Sequence, residues 1–170
     1  MYRIGQGFDI HRICDKQEYK AIDSSTRVLV LGGVAIVESP YVAIGHSDAD
    51  CLLHAIIDSL LGALALGDIG KHFPDHDPQY KGISSLILLQ KVYQLITDMR
   101  YFIVNLDTTV VLEKPKLAPY IDQIRKSIAL ALNLDIAQVS VKAKTHEKVD
   151  AIGKSQAISA QAMVLLQQII

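Results

Sequence analysis

No stretch of this chain reaches the roughly 18 uninterrupted apolar residues that a membrane-spanning helix requires. The N-terminus, MYRIGQGFDIH, lacks the positive region followed by an apolar run that marks a secretory leader. There are only two cysteines, Cys14 and Cys51, and they form neither a disulfide framework nor a C-x-x-C pair. A reducing compartment is the simpler setting, so the expected location is cytoplasmic. Net charge is also nearly absent, at -1, which excludes a basic surface that tracks nucleic acid. Neither a nucleic-acid nor a membrane partner is expected.

Several chemical motifs are missing as well. Gly5-Gln6-Gly7 has no third glycine at position 10, so the dinucleotide fingerprint fails, and Lys148 stands where a P-loop ending in Gly153-Lys154-Ser155 would need glycine. There is no G-x-S-x-G elbow, and neither cysteine has a histidine beside it in sequence. Covalent catalysis through serine or cysteine is unsupported.

What is present is half hydrophobic, and 170 residues suffice for one domain, 1–170, with a real core. Residues 2–12 read as a strand and 13–26 as an exposed polar loop. A second apolar run, 27–37, is broken by Gly32-Gly33, where a bend is expected. Residues 49–66, rich in Leu and Ala and preceded by Ser47-Asp48 as alternative caps, read as a buried helix. Residues 67–82 form a long Gly- and Pro-containing loop. Leu88, Leu89, Val92, Leu95, Ile96 and Met99 give an amphipathic helix over 84–100, and a strand follows over 101–112.

Pro119 suits a helix start, after which Ile121, Ile124, Ile128 and Ala131 share a face, and Val139, Val141 and Ala143 alternate as a half-buried strand. The uncharged segment 157–170 fits a strand or a helix, and either a subunit interface or a buried central strand. The order predicts an α+β fold: a two-layer domain with a mixed β-sheet and helices on one face.

Asp9 and His11, two apart in a strand, project from one side, as metal ligands would. Asp50, His54 and Asp58 form a polar stripe at i, i+4 and i+8 on an otherwise apolar helix. Such groups are kept inside a protein when paired or bound to metal, so something polar should face them. If that is the Asp9/His11 strand, His54 becomes a third ligand, with Asp50 or Asp58 able to orient an imidazole from behind. Two histidines and one carboxylate with an open position make a catalytic zinc arrangement.

His46-Ser47-Asp48 before the helix is a candidate anion site, against the plain alternative of capping. The 67–77 loop offers Asp68, Gly70, Lys71, Asp75 and His76 as possible ribose contacts, and Glu147, at a strand end, could hold a second, harder cation.

Read together, GQGFDIH at 5–11, HSDADCLLHAIIDSLLGALALGDIGKHFPD at 46–75, LEKPKLAP at 112–119 and VKAKTHEK at 141–148 closely resemble the 2-C-methyl-D-erythritol 2,4-cyclodiphosphate synthase family, nearly end to end. The resemblance implies a homotrimer with active sites between subunits, closing a cytidine diphosphate derivative into a cyclic diphosphate with loss of CMP. It carries zinc to Asp9, His11 and His54, and magnesium or manganese to Glu147. His46, Ser47, Thr145 and Glu147 match phosphate contacts, with His46, Thr145 and Glu147 as the catalytic set. Asp68, Gly70, Phe73, Asp75 and Asp77 match the ribose-side loop, and Leu112, Lys116, Leu117 and Ala118 the cytosine pocket.

Near the C-terminus the chain departs from the family. Val149-Asp150-Ala151 and Gly153-Lys154-Ser155-Gln156 replace a leucine-glycine-phenylalanine and a glycine-arginine-x-glutamate run, and the arginine of that run is linked to isoprenoid diphosphates at the trimer axis. The competing readings are a catalytically silent trimer that binds isoprenoid or nucleotide diphosphates, and a zinc phosphohydrolase using Asp50 or Asp58 as base.

Overall fold

A computed structural model describes residues 1–22 and 27–169. Its centre is a five-stranded mixed sheet in the order β4-β1-β7-β5-β6, built from β1 (Tyr2–Asp15), β4 (Tyr41–Ile44), β5 (Tyr101–Val111), β6 (Val139–Lys144) and β7 (Ala157–Gln168). Only the β5–β6 pair is parallel; the other neighbours run antiparallel. The uncharged tail is thus the central strand, hydrogen-bonded to β1 on one side and β5 on the other. Its alternating Ile158, Ala160, Ala162, Val164 and Leu166 are buried against the helices.

The helix α2 (Cys51–Ala63) lies across β1 and β7, and α4 (Ser85–Asp98) packs beside it. Of the residues of α2 only His54, Asp58 and Gly62 escape full burial, so the helix is apolar nearly all round and forms the core of the domain. Each fully buried Leu or Ile there contributes roughly 1.5–3 kcal/mol. The last long helix, α5 (Ile121–Ala131), buries Ile124 and Ile128 and packs near β6. The opposite face of the sheet exposes Ile4, Phe8, Ile10 and Met163, each about half or more accessible.

Several local expectations change. Residues 13–22 are not an exposed loop: β1 continues to Asp15 and α1 (Lys16–Ile22) follows, while 23–26 lie outside the described residues. The 27–37 run is a hairpin of β2 (Leu29–Leu31) and β3 (Val34–Ile36). Gly32 and Gly33 both have positive φ there (59° and 76°), as a two-residue type I′ turn requires. Strand β4 went unread because four residues carry too little periodicity. The 67–82 loop contains a short helix, α3 (Ile69–His72), and a 3₁₀ turn, Pro78–Tyr80, and a last short helix, α6 (Asp150–Gly153), precedes β7.

Candidate metal centre and active site

Strand β1 and helix α2 approach unusually closely. A β-carbon at Gly5 would stand 1.9 Å from the Ser59 carbonyl oxygen, and one at Gly7 would stand 2.0 Å from that of Ala55. Continuing along the same face of β1, the next two inward residues are Asp9 and His11, and the helix meets them with His54. Asp9 Oδ2 lies 3.0 Å from His54 Nδ1 and 3.1 Å from His11 Nε2, and the two imidazole nitrogens are 3.1 Å apart. Three donor atoms therefore form a nearly equilateral triangle, the one cluster among the described residues that could hold a metal ion.

The edges of that triangle fit a tetrahedral ion: ligands about 2.0–2.1 Å from zinc are separated by roughly 3.3 Å. Burial raises the Asp9 carboxyl, but hydrogen bonds from His11 and His54 and their charge outweigh it, and the group is held well below the usual carboxylate range. Burial lowers the proton affinity of His54, while the bond to Asp9 and its charge raise it, with a net rise. A cation at this point is what the carboxylate favours.

The orienting partner of His54 is neither carboxylate of the stripe. Asp50 is fully buried at the helix N-cap, accepting hydrogen bonds from Leu53 N (3.1 Å), Gly32 N (3.0 Å) and Gly33 N (2.7 Å), so it ties the hairpin to α2. Burial lifts its carboxyl to about 6 despite those N–H groups. Asp58 accepts from Ile69 N (2.7 Å) and anchors α3; burial raises its carboxyl as well. Neither Asp50 nor Asp58 lines the cavity at the triangle, so neither is placed to activate a water there. His54 Nε2 instead meets the hydroxyls of Ser85 (2.9 Å) and Ser47 (3.1 Å).

The cap of α2 is Asp50 rather than Ser47 or Asp48. Those two serve the loop before it: Ser47 Oγ accepts from Ala49 N, and Asp48 Oδ1 from Asp50 N. The anion reading therefore rests on side chains, with exposed His46 and buried Ser47 at the wall of the cavity, and not on free helix amides.

That cavity, of about 450 Å³, is lined by Asp9, His11, His54, His46 and Ser47 and, from the 67–83 segment, by Gly70, Phe73, Asp75 and His76 among others. Asp68 and Asp77 stand apart from its lining as caps, accepting from Lys71 N and Gln79 N. Leu112, Lys116, Leu117, Ala118 and Thr145 line a different cavity, of about 280 Å³, which shares no lining residue with the first. Beside it the exposed Glu147 accepts a hydrogen bond from Thr145 Oγ1 (2.6 Å). Glu113 steadies this loop by accepting from His146 N (3.1 Å) and Lys148 N (3.4 Å). Within one chain the predicted residues thus gather into two groups rather than one.

Three positions escaped sequence reading: Gly5 and Gly7 as packing glycines, and Ser85. The first pair could have been suspected from two glycines spaced by two in a strand, the pattern of a face that another backbone approaches. Ser85 carries no such signal, since Ser84-Ser85 before an apolar run reads as ordinary capping.

The YgbB family model matches residues 2–167. The 2-C-methyl-D-erythritol 2,4-cyclodiphosphate synthase of Natranaerobius thermophilus is 51% identical over 98% of this chain and 99% of its own length, and that of Bacillus velezensis is 46% identical over 99% of both. Among solved structures, the CDP complex of IspF from Plasmodium falciparum superposes with a TM-score of 0.83 at 40% identity, covering 99% of this chain and 97% of that one. The bifunctional IspDF of Campylobacter jejuni superposes with a TM-score of 0.89 at 32% identity, this chain spanning 43% of it. With a family model and relatives matched from end to end, this chain belongs to the YgbB family of 2-C-methyl-D-erythritol 2,4-cyclodiphosphate synthases.

Proposed function

We propose that this chain converts 4-diphosphocytidyl-2-C-methyl-D-erythritol 2-phosphate to 2-C-methyl-D-erythritol 2,4-cyclodiphosphate and CMP, a phosphorus–oxygen lyase step in isoprenoid precursor synthesis. The observation that carries the reading is the Asp9/His11/His54 triangle at the wall of a cavity in a chain so similar to synthases throughout. An oxygen of the substrate's 2-phosphate forms a bond to the β-phosphorus as the bond from that phosphorus to the bridging oxygen breaks, and the electron pair leaves with CMP. Atoms balance without water.

The attacking phosphate is already anionic at neutral pH, so the protein needs no general base. This agrees with Asp50 and Asp58 lying outside the lining of the metal-site cavity, which also disfavours a phosphohydrolase. The work left to the protein is alignment and charge neutralisation, turning a flexible chain into a near-attack ring closure. Asp9, His11 and His54 would hold zinc, which when bound supplies Lewis-acid polarisation of a phosphate oxygen. Glu147 with Thr145 would hold magnesium or manganese, since one carboxylate plus substrate phosphates is a usual site for such an ion. His46 and Ser47 contact the phosphates, Asp68, Gly70, Phe73, Asp75 and Asp77 serve the ribose side, and Leu112, Lys116, Leu117 and Ala118 the cytosine.

A substrate of this kind needs both groups of residues, and one chain keeps them in separate cavities. The reading therefore includes a homotrimer of single-domain subunits, with each active site completed by a neighbour. The apolar outer face of the sheet, with Ile4, Phe8, Ile10 and Met163 exposed, supports such an assembly. The CDP complex of the Plasmodium falciparum relative supports the nucleotide assignment. Purified protein with zinc, magnesium and the diphosphocytidyl substrate should release CMP; no CMP with both metals bound would defeat the reading.

A further inference from the structure

The hydrogen bonds behind His54 have a direction. Asp48 Oδ2 accepts from Ser85 N (2.8 Å), and Asp48 Oδ1 lies 2.5 Å from Ser85 Oγ. A carboxylate carries no proton to give, so the serine hydroxyl must donate to it. A bond of this length is usual for a hydroxyl on a carboxylate oxygen. With its single proton spent on Asp48, Ser85 Oγ can only accept from its other neighbour, His54 Nε2, 2.9 Å away. The Ser47 hydroxyl, 3.1 Å from the same nitrogen, can share that proton as a second acceptor.

We infer that Asp48 and Ser85 are positioning residues for the metal centre: they hold a proton of His54 on Nε2, so that the nitrogen left to zinc, once the Nδ1 proton now donated to Asp9 is given up, is Nδ1. Nδ1 is then the ligand atom. The inference rests on the zinc reading above and deepens it.

The rest of the structure holds the relay rigidly. Ser85 is fully buried, and the loop that carries Asp48 is laced to the segment that carries Ser85 by Gly82 N to His46 O (2.9 Å) and Asp48 N to Ile83 O (3.1 Å). Because Asp48 also takes the first amide of α4, the position of the imidazole is tied to two helices at once, α2 through its own backbone and α4 through the serine. A neutral imidazole has one donor and one acceptor nitrogen, and whichever nitrogen is satisfied as donor leaves the other for the metal. Without the relay, a neutral His54 would keep its single proton on Nδ1, where Asp9 accepts it, and that tautomer must be abandoned before zinc can bind. The carboxylate on this axis is therefore Asp48, one hydroxyl removed from the histidine, in the role that a directly bonded carboxylate plays in other metal sites.

The test uses the full chain and zinc alone. In the zinc-loaded protein, nitrogen-15 spectra of labelled histidine should show His54 with its proton on Nε2 and its metal-shifted resonance on Nδ1. Competition against a chelating dye should show Ser85→Ala binding zinc about 10- to 100-fold more weakly than wild type, with the helical circular dichroism of the wild type retained. Ser85→Thr, which restores the hydroxyl, should recover most of the loss. A metal-shifted Nε2 in the wild type overturns the inference, and so does unchanged zinc affinity in Ser85→Ala. If Ser85→Ala does not fold, the wild-type spectrum alone decides. Absence of zinc binding by the wild type is a separate result, which defeats the metal assignment itself.

Discussion

The backbone of Gly7 lies directly against the carbonyl group of Ala55, so close that a β-carbon on residue 7 would stand 2.0 Å from that oxygen. Gly5 meets Ser59 in the same way one helical turn on, at 1.9 Å. Two residues further along β1, the same closeness brings Asp9 within 3.0 Å of His54. The metal triangle is therefore a consequence of backbone packing between one strand and one helix.

Gly7→Ala should accordingly damage both stability and the metal site. Nothing flexible can yield, because the obstacle is main chain, so strand and helix must separate at a cost of about 1–3 kcal/mol or more. Urea unfolding should show the lower midpoint, and dye competition should show zinc affinity reduced at least tenfold. A variant with unchanged midpoint and affinity would mean that the closeness does not set the geometry of the triangle.

The division between what sequence could and could not give follows from the same packing. The α2 stripe was legible because 3.6-residue periodicity is visible in sequence, and His54 and Asp58 are, with Gly62, the positions on that helix that escape full burial, while Asp50 is buried at its cap. The tail was legible as apolar and not as a strand, since its outward positions mix Ala157, Met163 and Leu165 with Ser159, Gln161 and Gln167, which blurs the period of two. The partners of the stripe were beyond reach. Asp50 meets the amides of a hairpin 17 residues away, and Ser85 meets a histidine 31 residues away, and neither distance leaves a local pattern. The resemblance named Asp9, His11 and His54 as candidate ligands, while only the fold supplies what holds them together.

Asp50 gives a pH prediction. Its carboxyl rises from an ordinary 3.8 to about 6 because it is buried, so the native state binds this proton more tightly than the unfolded chain. The stabilising contribution is fully present below about pH 4 and is lost as pH rises through about 6. Asparagine resembles the neutral acid and does not titrate. In metal-free buffer, the stability difference between wild type and Asp50→Asn should shift toward the variant by an amount on the order of 3 kcal/mol between pH 4 and pH 8. Urea unfolding across that range measures it, and a difference independent of pH would show that Asp50 ionises normally.

Phe8 projects from the outer face of the sheet, where it is about half exposed, opposite Gln161 of β7. A charge there should be tolerated by a folded monomer and not by an apolar interface. Phe8→Glu is expected to sediment as a monomer that still binds zinc through Asp9, His11 and His54 and has lost CMP release, because the second cavity no longer comes from a neighbour. A fully active trimer would remove this face from the assembly.

In the proposed reaction the substrate supplies its own nucleophile and water takes no part. The direct measurement is the mass of the organic product formed in water enriched in heavy oxygen, with zinc and magnesium present. Cyclisation predicts CMP together with a product that has neither gained the mass of water nor taken up the label. A product heavier by one labelled water would show hydrolysis and contradict the account.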